Sequence, residues 1–217
     1  TAAISAVLLG AVAIPDPVTA AVGRVAGVIL AAGAARRFGR LKQLLPWQDT
    51  TLLNHVIRQA LAAASLDPII VVLGCQADAI LPTLAPFGGR IHTVINPAWA
   101  AGQSTSVHAA VRALSEHPAP VAAALFLLAD QPEVTPDLME ALAARHRATL
   151  APLVVPFYRG QRGNPVLFDQ RTFPELLAVE GDVGGRPLLR TYADALAAVA
   201  WDQSLLRDID SSDDLST

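Results

Sequence analysis

Four cations crowd seven positions of the chain, at Arg36, Arg37, Arg40 and Lys42, just after an apolar run that closes on Ala31, Ala32 and Gly33. Glycines at Gly33 and Gly39 let the backbone approach a ligand closely, and arginine and lysine neutralise oxyanions. Together they call for a phosphate-rich ligand. Two familiar phosphate cradles fail on spacing: five residues separate Gly33 from Gly39, and Arg40 and Leu41 follow, so neither G-x-G-x-x-G nor G-x-x-x-x-G-K-[ST] fits. What remains is L-A-A-G-x-x-x-R-x-G-x-x-K, carried by Leu30, Ala31, Ala32, Gly33, Arg37, Gly39 and Lys42.

A carboxylate completes the candidate chemistry. Asp130 follows the apolar run "ALFLLA", where a strand would reach the open edge of a sheet. Mg²⁺ takes oxygen ligands and bridges substrate phosphates, so an aspartate there suits it, although a turn before Pro132 would also use one. "GQSTS" (Gly102 to Ser106) sets small hydroxyls at the start of a helical pattern, where free N–H groups favour anions or polar base edges; plain capping by Ser104 or Thr105 explains the same residues. Gly74 and Cys75 end the second apolar run, and Cys75 reads as a packing residue rather than a nucleophile.

The elements that must position these groups are short apolar runs alternating with longer helical patterns. Strands are expected over Val25–Ala32, Pro68–Gly74, Ile91–Ile95, Ala122–Ala129 and Pro152–Pro156, apolar on both faces as in a covered parallel sheet. Helices are expected after a Thr50 or Thr51 cap, over "ADAILPTLA", over "TSVHAAVRALSEH", and after Thr135 with Pro136 at the first helical position. This βαβα rhythm predicts a three-layer α/β fold, doubly wound on a mostly parallel sheet, with ligands at the carboxyl ends of the strands. Further on, "RGQRGNPVLF" reads as a turn entering a strand, and "GDVGGRPLL" as a glycine-rich loop opening a helix.

Bulk composition narrows the function classes. The 217 residues are 53% hydrophobic and 16% charged, enough for one well-packed core, and a net charge of −3 argues against a general nucleic-acid binder. One cysteine excludes a disulfide framework and fits a reducing cytoplasm, and the five histidines show no metal-binding spacing. Residues 1–23 read as an appendage of unknown role: "TAAISAVLLGAVAI" lacks a cationic lead, and its unbroken run is too short to span a bilayer. The domain proper is therefore expected over 24–217.

The loop resembles the signature of the nucleotidyltransferases that activate sugars, alditols and molybdopterin with a nucleoside triphosphate. "NPAWAAGQSTSV", "LLADQPEVTPDL", "RGNPVLF", "GDVGGRPLL" and "DIDSSDDL" narrow the resemblance to the molybdenum cofactor cytidylyltransferase branch of the MobA-like family, from about Val25 to Leu215. It implies a Rossmann-like nucleotidyltransferase fold and Mg²⁺-dependent transfer of CMP from CTP to the phosphate of molybdopterin, releasing pyrophosphate. "LAAG", where guanylyl-transferring members carry "LAGG", favours cytidine. Catalytic roles then fall to Arg37, Lys42 and Asp130. Nucleotide contacts fall to the signature residues with Gly74, Gly102, Ser104 and Ser106.

The metal would sit on Asp130 and Asp210, with Asp208 as a near alternative; Ser212 stands where the family usually has proline. Asn164, Asp182, Gly184, Gly185 and Arg186 are candidates for holding the acceptor, a solvent-facing turn being the other reading. A molybdenum hydroxylase is the implied recipient of the product, with neither nucleic acid nor membrane as partner. Two alternatives stay open: a related transferase using GTP or another acceptor, and a non-catalytic molybdopterin-binding chaperone.

Overall fold

The computed structural model describes residues 23–34 and 41–202. Strand β1 (Arg24–Ala31) lies at the centre of the main sheet. It pairs in parallel with β4 (Leu66–Leu73) on one side and β6 (Val121–Leu128) on the other, and β5 (His92–Ile95) extends the sheet beyond β4. Beyond β6 a single strand of the main path runs against its neighbours. Strand β9 (Val166–Asp169) runs antiparallel between β6 and β7 (Leu153–Tyr158), and β10 (Ala197–Ala200) closes the edge parallel to β7. Short β8 (Gln161–Arg162) folds back on β7, and β2 (Pro46–Trp47) with β3 (Thr50–Thr51) forms a separate ribbon. The expected α/β architecture with a mostly parallel sheet is the one observed.

Period-two alternation explains why the central strands are apolar throughout. Ile69, Val71 and Leu73 of β4 and Ala123, Leu125 and Leu127 of β6 face one core, whereas Ile70, Val72, Ala124 and Phe126 face the other. Helix α1 (Leu52–Ala62), capped by the Thr51 hydroxyl, and α4 (Pro136–Thr149), capped by Thr135, cover the first face. Helix α3 (Gln103–Glu116) covers the second, joined by the short α5 (Phe173–Ala178) and α6 (Arg186–Thr191). Three layers result, as the strand pattern required.

One helix is shorter than expected. In the stretch "ADAILPTLA" the α-helix α2 covers Ala77–Ile80, and a 3₁₀ segment with a kink at Gly88 continues over Leu81–Arg90. Pro82 and Pro86 remove backbone donors there, so regular i→i−4 bonding cannot run on. Among the described residues, no helix is long and apolar enough to cross a membrane.

Candidate functional site

The carboxyl ends of β1 and β6 frame a cavity of about 280 Å³. Its wall includes Leu30, Ala31, Ala32 and Gly33 from the signature, Lys42 and Gln43 from the far side of the loop, and Asp130. The two strand ends are tied together by the Ala129 amide, which donates to the Leu30 carbonyl at 3.2 Å. Asp130 comes next in the chain, and Lys42 Nζ donates to its Oδ2 at 3.5 Å. Both side chains are partly open to solvent, 16% for Lys42 and 32% for Asp130. A cation and a carboxylate thus share one wall within reach of a ligand.

The turn after Asp130 is anchored from α1. Buried His55 donates its Nε2–H to the Pro132 carbonyl at 3.1 Å. Burial pushes the His55 pKa down, and this outweighs the hydrogen bond to Pro132, which favours the charged ring. Gly74 backs the wall without lining it: a Cβ there would lie 2.6 Å from Trp99 Cβ and 2.8 Å from Ala32 Cβ. Gly74 is therefore required by the close approach of Trp99, itself a wall residue, to the end of β1. At Gly33, by contrast, a Cβ would meet no atom of the described residues within 4 Å.

The hydroxyl cluster is organised differently from what residue types alone suggest. Asn96, buried at the end of β5, donates from Nδ2 to Thr105 Oγ1 at 2.8 Å and to Ser106 Oγ at 3.0 Å. Thr105 Oγ1 donates onward to the Ala98 and Gly102 carbonyls. Ser106 lines the cavity, but Ser104 is buried outside its wall, 2% exposed, because the helical turn carries it to the core side. The leading amides of α3 are engaged as well: Gln103 N donates to Asp182 Oδ1 at 3.0 Å and Ser104 N to the Gly181 carbonyl at 3.1 Å.

That pairing docks the 181–185 loop on the start of α3. Gly102 has φ of 120°, and a Cβ there would stand 2.6 Å from the Gly181 carbonyl carbon and oxygen. Behind the loop lies a second, smaller cavity of about 70 Å³, which shares Leu30 and Gln103 with the first. Asn164, Gly184, Gly185 and Arg186 line it, with Val107, Phe126 and Phe168 as its apolar floor. Four of the five expected acceptor residues thus meet at one cavity, whereas Asp182 lines the first and caps α3. Arg37, Gly39, Asp208 and Asp210 lie outside the described residues, as do Arg36 and Arg40.

Four wall residues had no site role in the sequence reading: Gln43, Trp99, Gln103 and Ala129. Gln43 left a faint trace, a lone polar side chain between Lys42 and the apolar pair Leu44 and Leu45. Among the described residues no three metal-ligating side chains converge. One carboxylate in a cleft still fits Mg²⁺ chemistry, because that ion retains waters and takes its other oxygens from substrate phosphates.

Comparison with known proteins matches the chain to a family. The MobA-like NTP transferase domain matches residues 27–198. The purine catabolism protein PucB of Bacillus subtilis is 32% identical over 197 residues, 87% of this chain and 92% of the relative. The molybdenum cofactor cytidylyltransferase of Escherichia coli is 30% identical over 193 residues, 88% of this chain and 93% of the relative. Among solved structures, Rv0371c from Mycobacterium tuberculosis in complex with manganese superposes with a TM-score of 0.71 at 29% identity, covering 89% of this chain and 96% of that one.

Proposed function

Because the chain belongs to the MobA-like NTP transferase family and is thus a nucleotidyltransferase, we propose that it transfers CMP from CTP to the phosphate of molybdopterin. The observation that carries the reading is the meeting of Lys42, Asp130 and the Gly33 turn on one cavity at the carboxyl edge of the sheet. CTP lies across the signature loop, with Lys42 and Arg37 on its β- and γ-phosphates. Ser106 and Ala32 flank the base. The Ala32 methyl, packed beside Gly74 under Trp99, narrows that end and favours a pyrimidine over a purine.

The acceptor occupies the second cavity. Its apolar floor suits a flat heterocycle, and Arg186 and Asn164 at its rim suit the phosphate that the heterocycle carries. An oxygen of that phosphate attacks the α-phosphorus in line. The bond from the α-phosphorus to the α–β bridging oxygen breaks, and pyrophosphate leaves with the electron pair. A phosphate is already ionised near neutral pH, so this chain needs no general base; its residues position the reactants and neutralise charge. Asp130, with Asp210 as second carboxylate, would hold a Mg²⁺ ion, which would supply charge neutralisation to the phosphates. The cytosine dinucleotide product would pass to a molybdenum hydroxylase.

The test mixes the protein with Mg²⁺, molybdopterin and each of the four ribonucleoside triphosphates in turn, and measures pyrophosphate. Release with CTP above the other three is expected. Preference for GTP would overturn the base assignment, and no release with any of the four would overturn the reaction itself.

A further inference from the structure

Gln43 is nearly sealed from solvent, 4% exposed, yet it lines the cavity beside Lys42 and Asp130. Its Nε2 donates to the Ala31 carbonyl at 2.7 Å and to the Gly33 carbonyl at 2.9 Å. Two carbonyl oxygens at those distances admit only the amide nitrogen, so the orientation of the carboxamide is settled by its partners. Its Oε1 is buried with no hydrogen-bond partner among the described residues. Leaving a buried acceptor unpaired is costly, which makes the nitrogen the end that places this side chain.

The position of these bonds gives them meaning. Ala31 and Gly33 stand at the exit of β1, and Gln43 sits in the 3₁₀ turn Lys42–Leu44 where the chain returns. One side chain therefore ties the exit of β1 to that turn, next to Lys42. In a trans peptide the C=O and N–H point in opposite directions. With both carbonyls turned toward Gln43, the amides of Ala32 and Ala34 face away from it.

We infer that Gln43 is a positioning residue of the nucleotide site: it ties the exit of β1 to the Lys42–Leu44 turn, orients the amides of Ala32 and Ala34 and sets the backbone that carries Lys42. The inference rests on the reading that this loop receives a nucleoside triphosphate. Gln43 touches no reacting atom, so its loss weakens triphosphate binding and leaves the acceptor's KM close to wild type.

Two near-isosteric variants test this. Gln43→Met keeps the volume and removes the donor; its Kd for CTP with Mg²⁺, by calorimetry, is expected to rise about tenfold. Gln43→Glu donates only when its carboxyl is protonated, and burial raises that pKa; CTP affinity relative to wild type therefore recovers as the pH falls from about 8 to about 6. Hydrogen exchange over residues 30–45 of the ligand-free protein reads this tie directly and is expected to quicken in Gln43→Met. CTP binding within about twofold of wild type, with unchanged exchange, would reduce Gln43 to core packing and overturn the inference. If the wild-type protein binds no triphosphate, the proposed function falls, and exchange alone still decides whether Gln43 ties the two segments.

Discussion

Lys42 and Asp130 are 88 residues apart in the chain and 3.5 Å apart in space. The pair is part-buried and long at 3.5 Å, so the contact itself is weak, and its place on the cavity wall is what marks it. Asp130→Asn is expected to lower pyrophosphate release about a hundredfold or more while thermal melting stays close to wild type. The same variant, in EDTA, should bind CTP more tightly than wild type, because a carboxylate without its cation repels the phosphates. His55 acts one step behind, holding the turn after Asp130 through Pro132. Its pKa is depressed below 6.5, so its neutral form contributes stability that is present above that value and lost as the pH falls through the folded-state pKa. The thermal midpoint should therefore drop on acidification below pH 6.5, and the slope should flatten in His55→Gln.

The helix α3 and the 181–185 loop act as one element. Helix starts leave amides without partners, and here Asp182 and the Gly181 carbonyl take two of them. The loop that borders the second cavity is thus fastened to the helix that borders the first, and the two cavities share Gln103 at the seam. Gly102 permits this contact, at a backbone φ that side-chain-bearing residues avoid and at a separation that excludes a Cβ. Gly102→Ala is expected to destabilise the protein by about 1–3 kcal/mol in chemical denaturation. It should also raise the KM of the acceptor more than that of CTP, since the loop, rather than the signature turn, is displaced.

At the scale of the whole molecule, the parallel sheet is interrupted by antiparallel β9, and a buried polar bridge holds that strand in place. His146 of α4 meets Asp169 Oδ2 at 2.8 Å, and Arg171 Nε donates to Asp169 Oδ1 at 2.7 Å. Burial alone would raise the Asp169 pKa, but the hydrogen bonds from Arg171 and His146 outweigh it and hold the carboxyl below its ordinary 3.8. A depressed carboxylate stabilises the fold above its unfolded-state pKa and loses that contribution as the pH falls through the folded value. Stability should accordingly decline below pH 3.8, and Asp169→Asn should remove part of that decline. At neutral pH the same substitution is expected to cost about 2–4 kcal/mol by denaturant unfolding, because it weakens a buried network without replacing it.

The layers and the central strands were legible in the residues alone, because alternation along β4 and β6 is a local property of an extended backbone and survives any arrangement of neighbours. The same holds for Thr135 and Pro136 at the start of α4, and for Asp130 at the end of an apolar strand. Apolar spacing in "ADAILPTLA" is compatible with a longer helix, but α2 ends at Ile80, where Pro82 and Pro86 interrupt the regular bonding. What the tertiary structure alone decided is which groups meet. Ser104 and Ser106 are alike by type, and only the docking of α3 sends the first to the core and the second to the cavity. Asp182 reads as a loop carboxylate until the fold brings the amide of Gln103 to it. Gln43 carries no role in the sequence, and the return of the chain presses it against two carbonyls at the exit of β1. Periodicity is written over a few residues, whereas these contacts join segments that only the closed sheet brings together.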